Sequence, residues 1–176
     1  GLGVNYMNEE TVQPIELIHC YEKIFSGRKE RLILEPGRSI AANAGIMLTK
    51  VEYKKNDFLV ADAAMNDLLR PALYQAHHDV WPVKKNNSVM QSTVSLVGPI
   101  CETGDFLAKN INSESSEGDL LAVKTVGAYG FVMSSNYNSR PRAAEIIVDK
   151  DKFYLIRKRE DYSSLTALEE GLDDQV

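Results

Sequence analysis

The stretch Arg31-Leu32-Ile33-Leu34-Glu35-Pro36-Gly37-Arg38 decides how this chain is read. Arg31 to Glu35 read as a short buried strand. Pro36 and Gly37 stop it. A carboxylate and a guanidinium are left at the strand's C-terminal tip, where parallel α/β folds place their ligands. Gly37 lets the backbone approach an anion closely. Arg38 can hold a phosphate or carboxylate through two parallel hydrogen bonds. Taken alone, the same residues equally describe a strand, a turn and a surface ion pair.

On the N-terminal side, Gly1-Leu2-Gly3-Val4 precedes a polar stretch. A dinucleotide fingerprint would need glycine at position 6, which is Tyr6, so that motif is excluded. Two glycines still free nearby N–H groups to face an anion. Residues 12–26 are expected to be helical, with Pro14 in the first turn and Ile15, Leu17, Ile18, Tyr21 and Phe25 forming an apolar face. Cys20 falls in this helix and is expected in the core. On the C-terminal side the pattern changes. Strands are expected at 46–53, 58–61, 80–83, 89–97, 120–126, 143–148 and 153–156, with a short helix at 67–75. The polar segment 110–119 is expected to be an exposed loop, and 162–172 a terminal helix. The pattern is a βαβ-like beginning followed by a mostly antiparallel β domain.

The chain's 176 residues leave room for one domain, or one and a fraction. The net charge of −5 argues against a general nucleic-acid binder, because there is no basic excess to displace counterions. No apolar run reaches the roughly 20 residues that a membrane helix needs. Two cysteines, Cys20 and Cys101, are too few for a disulfide framework, which fits a cytoplasmic protein. His19, His77 and His78 lack metal-ligand spacing and are expected to be ordinary surface or core residues, so no metal is expected.

Five further segments occur in a telling order. They are the N-terminal Gly1-Leu2-Gly3-Val4, Asp62-Ala63-Ala64-Met65-Asn66, Leu69-Arg70-Pro71-Ala72-Leu73-Tyr74, Gly98-Pro99-Ile100-Cys101-Glu102-Thr103-Gly104-Asp105 and Gly127-Ala128-Tyr129-Gly130. With Glu35-Pro36-Gly37-Arg38, this order and spacing resemble the C-terminal part of the ornithine/diaminopimelate decarboxylase family. Those enzymes depend on pyridoxal phosphate (PLP) and share a fold with alanine racemase. The resemblance spans about residues 1–171. It implies an α+β chain: residues 1–42 as the end of a PLP-binding (β/α)8 barrel, and 43–176 as a mostly antiparallel β-sandwich or barrel domain with a terminal helix. The family's Schiff-base lysine lies in an early strand, and no segment here matches its context. The chain is therefore expected to be part of a longer or split enzyme, inactive by itself.

The resemblance also implies roles. Glu35 would pair with the pyridine nitrogen of PLP. Gly1, Gly3, Gly37 and Arg38 would hold its phosphate end, and Tyr129 would meet both cofactor and substrate. Arg38, Arg70 and Tyr74 would bind the substrate's distal carboxylate; Arg70 and Tyr74 are four apart, on one face of a helix whose start Pro71 must lie near. Cys101 would be the catalytic proton donor, and acids beside a thiol disfavour its ionised form. Glu102 would recognise the distal ammonium. Cys101 and Glu102 would act in the partner's site within a homodimer. The implied reaction turns meso-2,6-diaminopimelate, a small amino acid, into L-lysine and CO2. A carboxynorspermidine- or ornithine-type decarboxylase is the alternative enzyme, and a non-catalytic dimerisation module the alternative outside enzymes. Glu102 favours the first reading, since relatives acting on ornithine carry Asp after the cysteine.

Overall fold

The computed structural model describes residues 1–7, 10–84 and 91–171. The first helix, α1 (Pro14–Phe25), starts where the sequence places Pro14, and the Glu16 carboxylate accepts from the Gln13 N–H at 2.9 Å to close its first turn. No residue of α1 is buried: Ile15 and Ile18 are exposed, and so is Cys20, which is not a core residue. Local signals mark its start, and Leu17, Tyr21 and Phe25 on one face are half-buried.

The strand expected at 31–35 is not formed. Residues 31–36 are irregular, and Ile33 is 71% exposed. A strand is defined by its ladder, and no described strand lies beside this one. Gly37 instead opens a short helix, α2 (Gly37–Ala41), continued by a 3-10 turn over Ala42–Ala44.

The sheet then begins. It comprises β1 (Met47–Lys55), β2 (Phe58–Ala61), β3 (Val80–Pro82), β4 (Ser92–Val97), β5 (Phe106–Ser113) and β6 (Leu120–Val123). Their order across the sheet is β3-β6-β1-β2-β4-β5. All pairings are antiparallel except β2 with β4. The end strands β3 and β5 approach one another, so the sheet nearly closes into a barrel. Its core is Val51, Leu59, Val94, Leu96, Leu107, Leu121 and Val123. In β4 the alternation is plain: Val94 and Leu96 are buried while Thr93 is exposed.

Strand β5 was not expected, and it absorbs the start of the polar segment. Its apolar residues Leu107 and Ile111 are four apart and separated by Lys109 and Asn110, so the period-2 signal is broken. Ser113, Glu114 and Ser115 are buried rather than exposed in a loop, and the Ser115 carbonyl accepts from Lys54 Nζ at 3.0 Å. The helix expected at 67–75 starts later, as α3 (Arg70–Tyr74), with Pro71 in its first turn. The strand expected at 89–97 is β4 from Ser92; residues 89–90 lie outside the described residues, as does residue 172 of the terminal helix. That helix is the shorter α4 (Tyr162–Thr166). Strands β7 (Glu145–Asp149) and β8 (Lys152–Arg157) form a separate ribbon whose apolar residues, Val148 and Phe153 among them, are exposed.

The strand directions bring the interesting loops together. β2, β4 and β6 run one way and β1 the other. The loops after β2, β4 and β6 therefore leave the same end of the sheet at which the chain from α2 enters β1.

Candidate functional site

Two glycines hold α2 against the loop that follows β6. The Gly127 N–H donates to the Ala42 carbonyl at 3.0 Å, and Val126 N–H to Gly45 at 3.1 Å. A Cβ on Gly127 would collide with the Ala41 carbonyl, so only glycine permits this approach. Two residues on, Tyr129 adopts a left-handed conformation with φ of 62°. Its ring comes under the Arg38 guanidinium, 5.2 Å from centroid to Cζ, a cation–π contact.

This junction forms a cleft of about 360 Å3, lined by Gly1, Leu2, Gly3, Glu35, Gly37, Arg38 and Tyr129. Every residue expected to hold a cofactor lies in that lining. A Cβ at Gly3 or Gly37 would meet no heavy atom within 4 Å, so both glycines border open space, and Gly1 packs near the Glu35 carbonyl. Glu35 departs from expectation: without a strand beside it, it is exposed rather than partly buried. Neither Arg31 nor Arg38 pairs with it among the described residues, which removes the surface ion pair as its explanation. Glu35 borders the cleft, and among the described residues its carboxylate has no ion-pair partner.

Arg70 lies outside that lining and approaches Tyr129 from α3. It is only 6% exposed. Its Cζ lies 6.0 Å from the Tyr129 ring and 4.7 Å from the Tyr6 ring. Its hydrogen-bond partner is the His78 Nε2, at 3.0 Å. Two guanidiniums, Arg38 and Arg70, thus converge on one tyrosine with no described carboxylate paired to either. A buried cation without a counterion favours an anionic ligand. Tyr74 shares the helix with Arg70 and is 62% exposed.

The remaining pair is elsewhere. Cys101 is exposed on the β4–β5 loop. Glu102 lines a second cleft of about 290 Å3 with Met65, Asn66, Leu69, Ser135 and Tyr137. The two clefts share no lining residue. Tyr137 Oη donates to Glu102 Oε2 at 3.3 Å. The carboxylate's charge, and then this hydrogen bond, push the phenol's pKa up. Asp105 pins the loop. Its Oδ2 accepts from Ile100 N–H at 2.8 Å and its Oδ1 from Met65 N–H at 2.7 Å. Burial pushes the Asp105 carboxyl up, while these two backbone donors pull the other way. Arg140 steadies the opposite wall by donating from Nε to Asn66 Oδ1 at 2.9 Å.

Sequence reasoning missed Tyr6, His78, Tyr137 and Arg140. Tyr137 lies 35 residues from Glu102, and no local pattern couples them. Asp105 stood in the quoted Cys101–Asp105 segment, and its spacing across a Gly104 turn is the one signal that could have marked it as the loop's clasp.

Residues 17–127 match the family described as pyridoxal-dependent decarboxylase, C-terminal sheet domain, and the chain belongs to it. The chain is 54% identical to a diaminopimelate decarboxylase of Vibrio cholerae, over 99% of its own length and 43% of that protein's. It is 53% identical to the diaminopimelate decarboxylase of Pseudomonas aeruginosa, over 95% of this chain and 41% of that one. A crystal structure of Helicobacter pylori diaminopimelate decarboxylase complexed with L-lysine superimposes with a TM-score of 0.90 at 41% identity, covering 96% of this chain and 43% of that chain. The chain thus spans less than half the length of the relatives it matches. Among the described residues, no helix is long and apolar enough to cross a membrane, and no cluster of His, Cys, Asp and Glu could hold a metal.

Proposed function

We propose that this chain serves as the C-terminal part of a PLP-dependent carboxy-lyase that converts meso-2,6-diaminopimelate to L-lysine and CO2. Residues 1–42 would complete a PLP-binding barrel and 43–176 form the β domain. The observation that carries this is the single cleft joining Gly1, Gly3, Glu35, Gly37, Arg38 and Tyr129. These residues fit PLP. Open glycine backbone and a guanidinium suit its phosphate, and a free carboxylate suits its pyridine nitrogen. When bound, PLP supplies an electron sink for the charge left as CO2 departs.

The chain's own groups divide the remaining work. Arg38 and Arg70, with Tyr74 at the margin, bind the substrate's distal carboxylate through charge-assisted hydrogen bonds. Glu102 receives the distal ammonium, and the Tyr137 hydroxyl fixes the orientation of its carboxylate. The Cys101 thiol gives its Sγ proton to the carbon that has lost CO2. The family resemblance assigns Cys101 and Glu102 to the neighbouring site of a homodimer, and the separate linings of the two clefts are compatible with that. Two free, exposed cysteines accord with a cytoplasmic protein.

The experiment is product analysis of the complete enzyme carrying this chain. Incubated with meso-diaminopimelate, L-ornithine or carboxynorspermidine, it should release CO2 fastest from the first and form L-lysine. Faster turnover of either competitor would overturn the substrate assignment.

A further inference from the structure

His78 is 1% exposed and lies between two partners. Its Nδ1 is 2.9 Å from the Lys124 carbonyl oxygen, and its Nε2 is 3.0 Å from Arg70 Nη1. A carbonyl only accepts and a guanidinium only donates. The imidazole must therefore carry its proton on Nδ1 and present a bare lone pair at Nε2. A doubly protonated ring would turn an N–H toward Arg70. The Tyr6 ring closes the arrangement, meeting His78 edge-on at 5.2 Å and Arg70 at 4.7 Å. Burial lowers the pKa of His78, in keeping with a neutral ring.

Arg70 is consequently a buried cation held by a neutral acceptor. A carboxylate in place of His78 would have neutralised it and competed with any ligand. A neutral acceptor fixes one donor of the guanidinium fork and leaves the charge uncompensated.

We propose that His78 is a positioning residue: the Lys124 carbonyl sets its tautomer, and through Nε2 it holds the Arg70 guanidinium ready for the substrate's distal carboxylate. The proposal rests on Arg70 being that carboxylate's ligand. It makes His78, with no direct part in the chemistry, a determinant of preference for substrates that carry a distal carboxylate over plain diamines.

The test uses the complete enzyme and two competitive inhibitors that differ by one group. L-Lysine carries the carboxylate and cadaverine lacks it. In His78→Phe, L-lysine inhibition should weaken roughly tenfold, the scale of a hydrogen bond to a charged group, with cadaverine inhibition unchanged. KM for meso-diaminopimelate should rise more than kcat falls. In His78→Gln, whose side-chain oxygen can accept from Arg70, most of the L-lysine affinity should return. Equal weakening of both inhibitors, or no change in either, would overturn the positioning role. Failure of Phe and Gln variants to differ would do so too. Arg70→Met is the control for the underlying assignment. If it leaves the ratio of L-lysine to cadaverine affinity untouched, Arg70 does not bind the carboxylate. If it abolishes that ratio while His78→Phe does not alter it, the clamp stands and the role of His78 falls.

Discussion

The cleft at Glu35 and Tyr129 takes its walls from three distant parts of the chain, residues 1–3, 35–38 and 129, whereas the cleft at Glu102 is built within residues 65–137. The first is held by a close glycine contact and by guanidiniums stacked on tyrosine rings. The second is held by hydrogen bonds that Asn66, Arg140 and Tyr137 donate and that the Asp105 carboxylate accepts. Charges in the first are left without protein counterparts; in the second the polar groups largely satisfy one another. The contrast fits a division of labour, in which one cleft draws in a charged ligand and the other presents two side chains on a fixed loop.

The largest expected effect tests whether the clefts cooperate across subunits. Cys101→Ala in the complete enzyme should slow turnover by about a hundredfold or more, the scale of general acid catalysis, while PLP retention, read by absorbance, stays intact. Mixing Cys101→Ala subunits with Arg70→Ala subunits, assayed at substrate well below the parent KM where each variant alone is slow, should then restore part of the activity, since one site of each mixed dimer has both groups. No recovery despite proven subunit exchange would place both clefts in one subunit's site.

Next in size is the clamp. Arg70→Ala should raise KM for meso-diaminopimelate about ten- to a hundredfold, as expected for losing a charge-assisted hydrogen bond worth roughly 1.5–3 kcal/mol. An unchanged KM would take Arg70 out of the first cleft's function.

Asp105→Asn probes the hydrogen-bonded cleft. An amide keeps one acceptor but turns its NH2 toward a backbone donor, leaving a buried group unsatisfied at a cost of about 1–3 kcal/mol. Denaturant unfolding should show that loss, and kcat should fall through the displaced Cys101 loop. Stability equal to the parent would mean the loop is held by other contacts.

The smallest effect lies outside both clefts and serves as their control. Hydrogen bonds from the Ser164 and Ser163 hydroxyls and the Ser164 N–H lower the Asp161 pKa from 3.8 to about 2. Because the folded value is depressed, its contribution is complete above pH 3.8 and is lost as pH falls toward 2. Amide exchange at Ser164 should quicken in that window. Exchange that is flat down to pH 2 would show that the carboxylate does not cap α4.

How much was legible differs by element. Helix α1 was, because Pro14, the acidic first turn and the apolar spacing are local signals. Strands β1, β2, β3, β4, β6, β7 and β8 were, because alternation or short apolar runs survive in them. β5 was not, since the polar residues at 109–110 interrupt its pattern and only the pairing of Val94 with Ile111 and Leu96 with Ala108 fixes it. The 31–35 segment shows the reverse: its apolar residues promise a strand, but no described strand lies beside it to pair with.

The site divides in the same way. The family resemblance, carried by residue types in a fixed order, singled out Glu35, Gly37, Arg38, Arg70, Cys101, Glu102 and Tyr129 as candidates. The tertiary structure decided which of them meet. The strand directions deliver the loops after β2, β4 and β6 to one end of the sheet, and the Gly127 contact brings Tyr129 to Arg38. It also decided that Arg70 is gripped by His78, that Tyr137 answers Glu102, and that Cys101 does not line the cleft at Glu35 and Tyr129. Those relations span up to about a hundred residues, and at that range only the packed backbone, not local spacing, sets a distance.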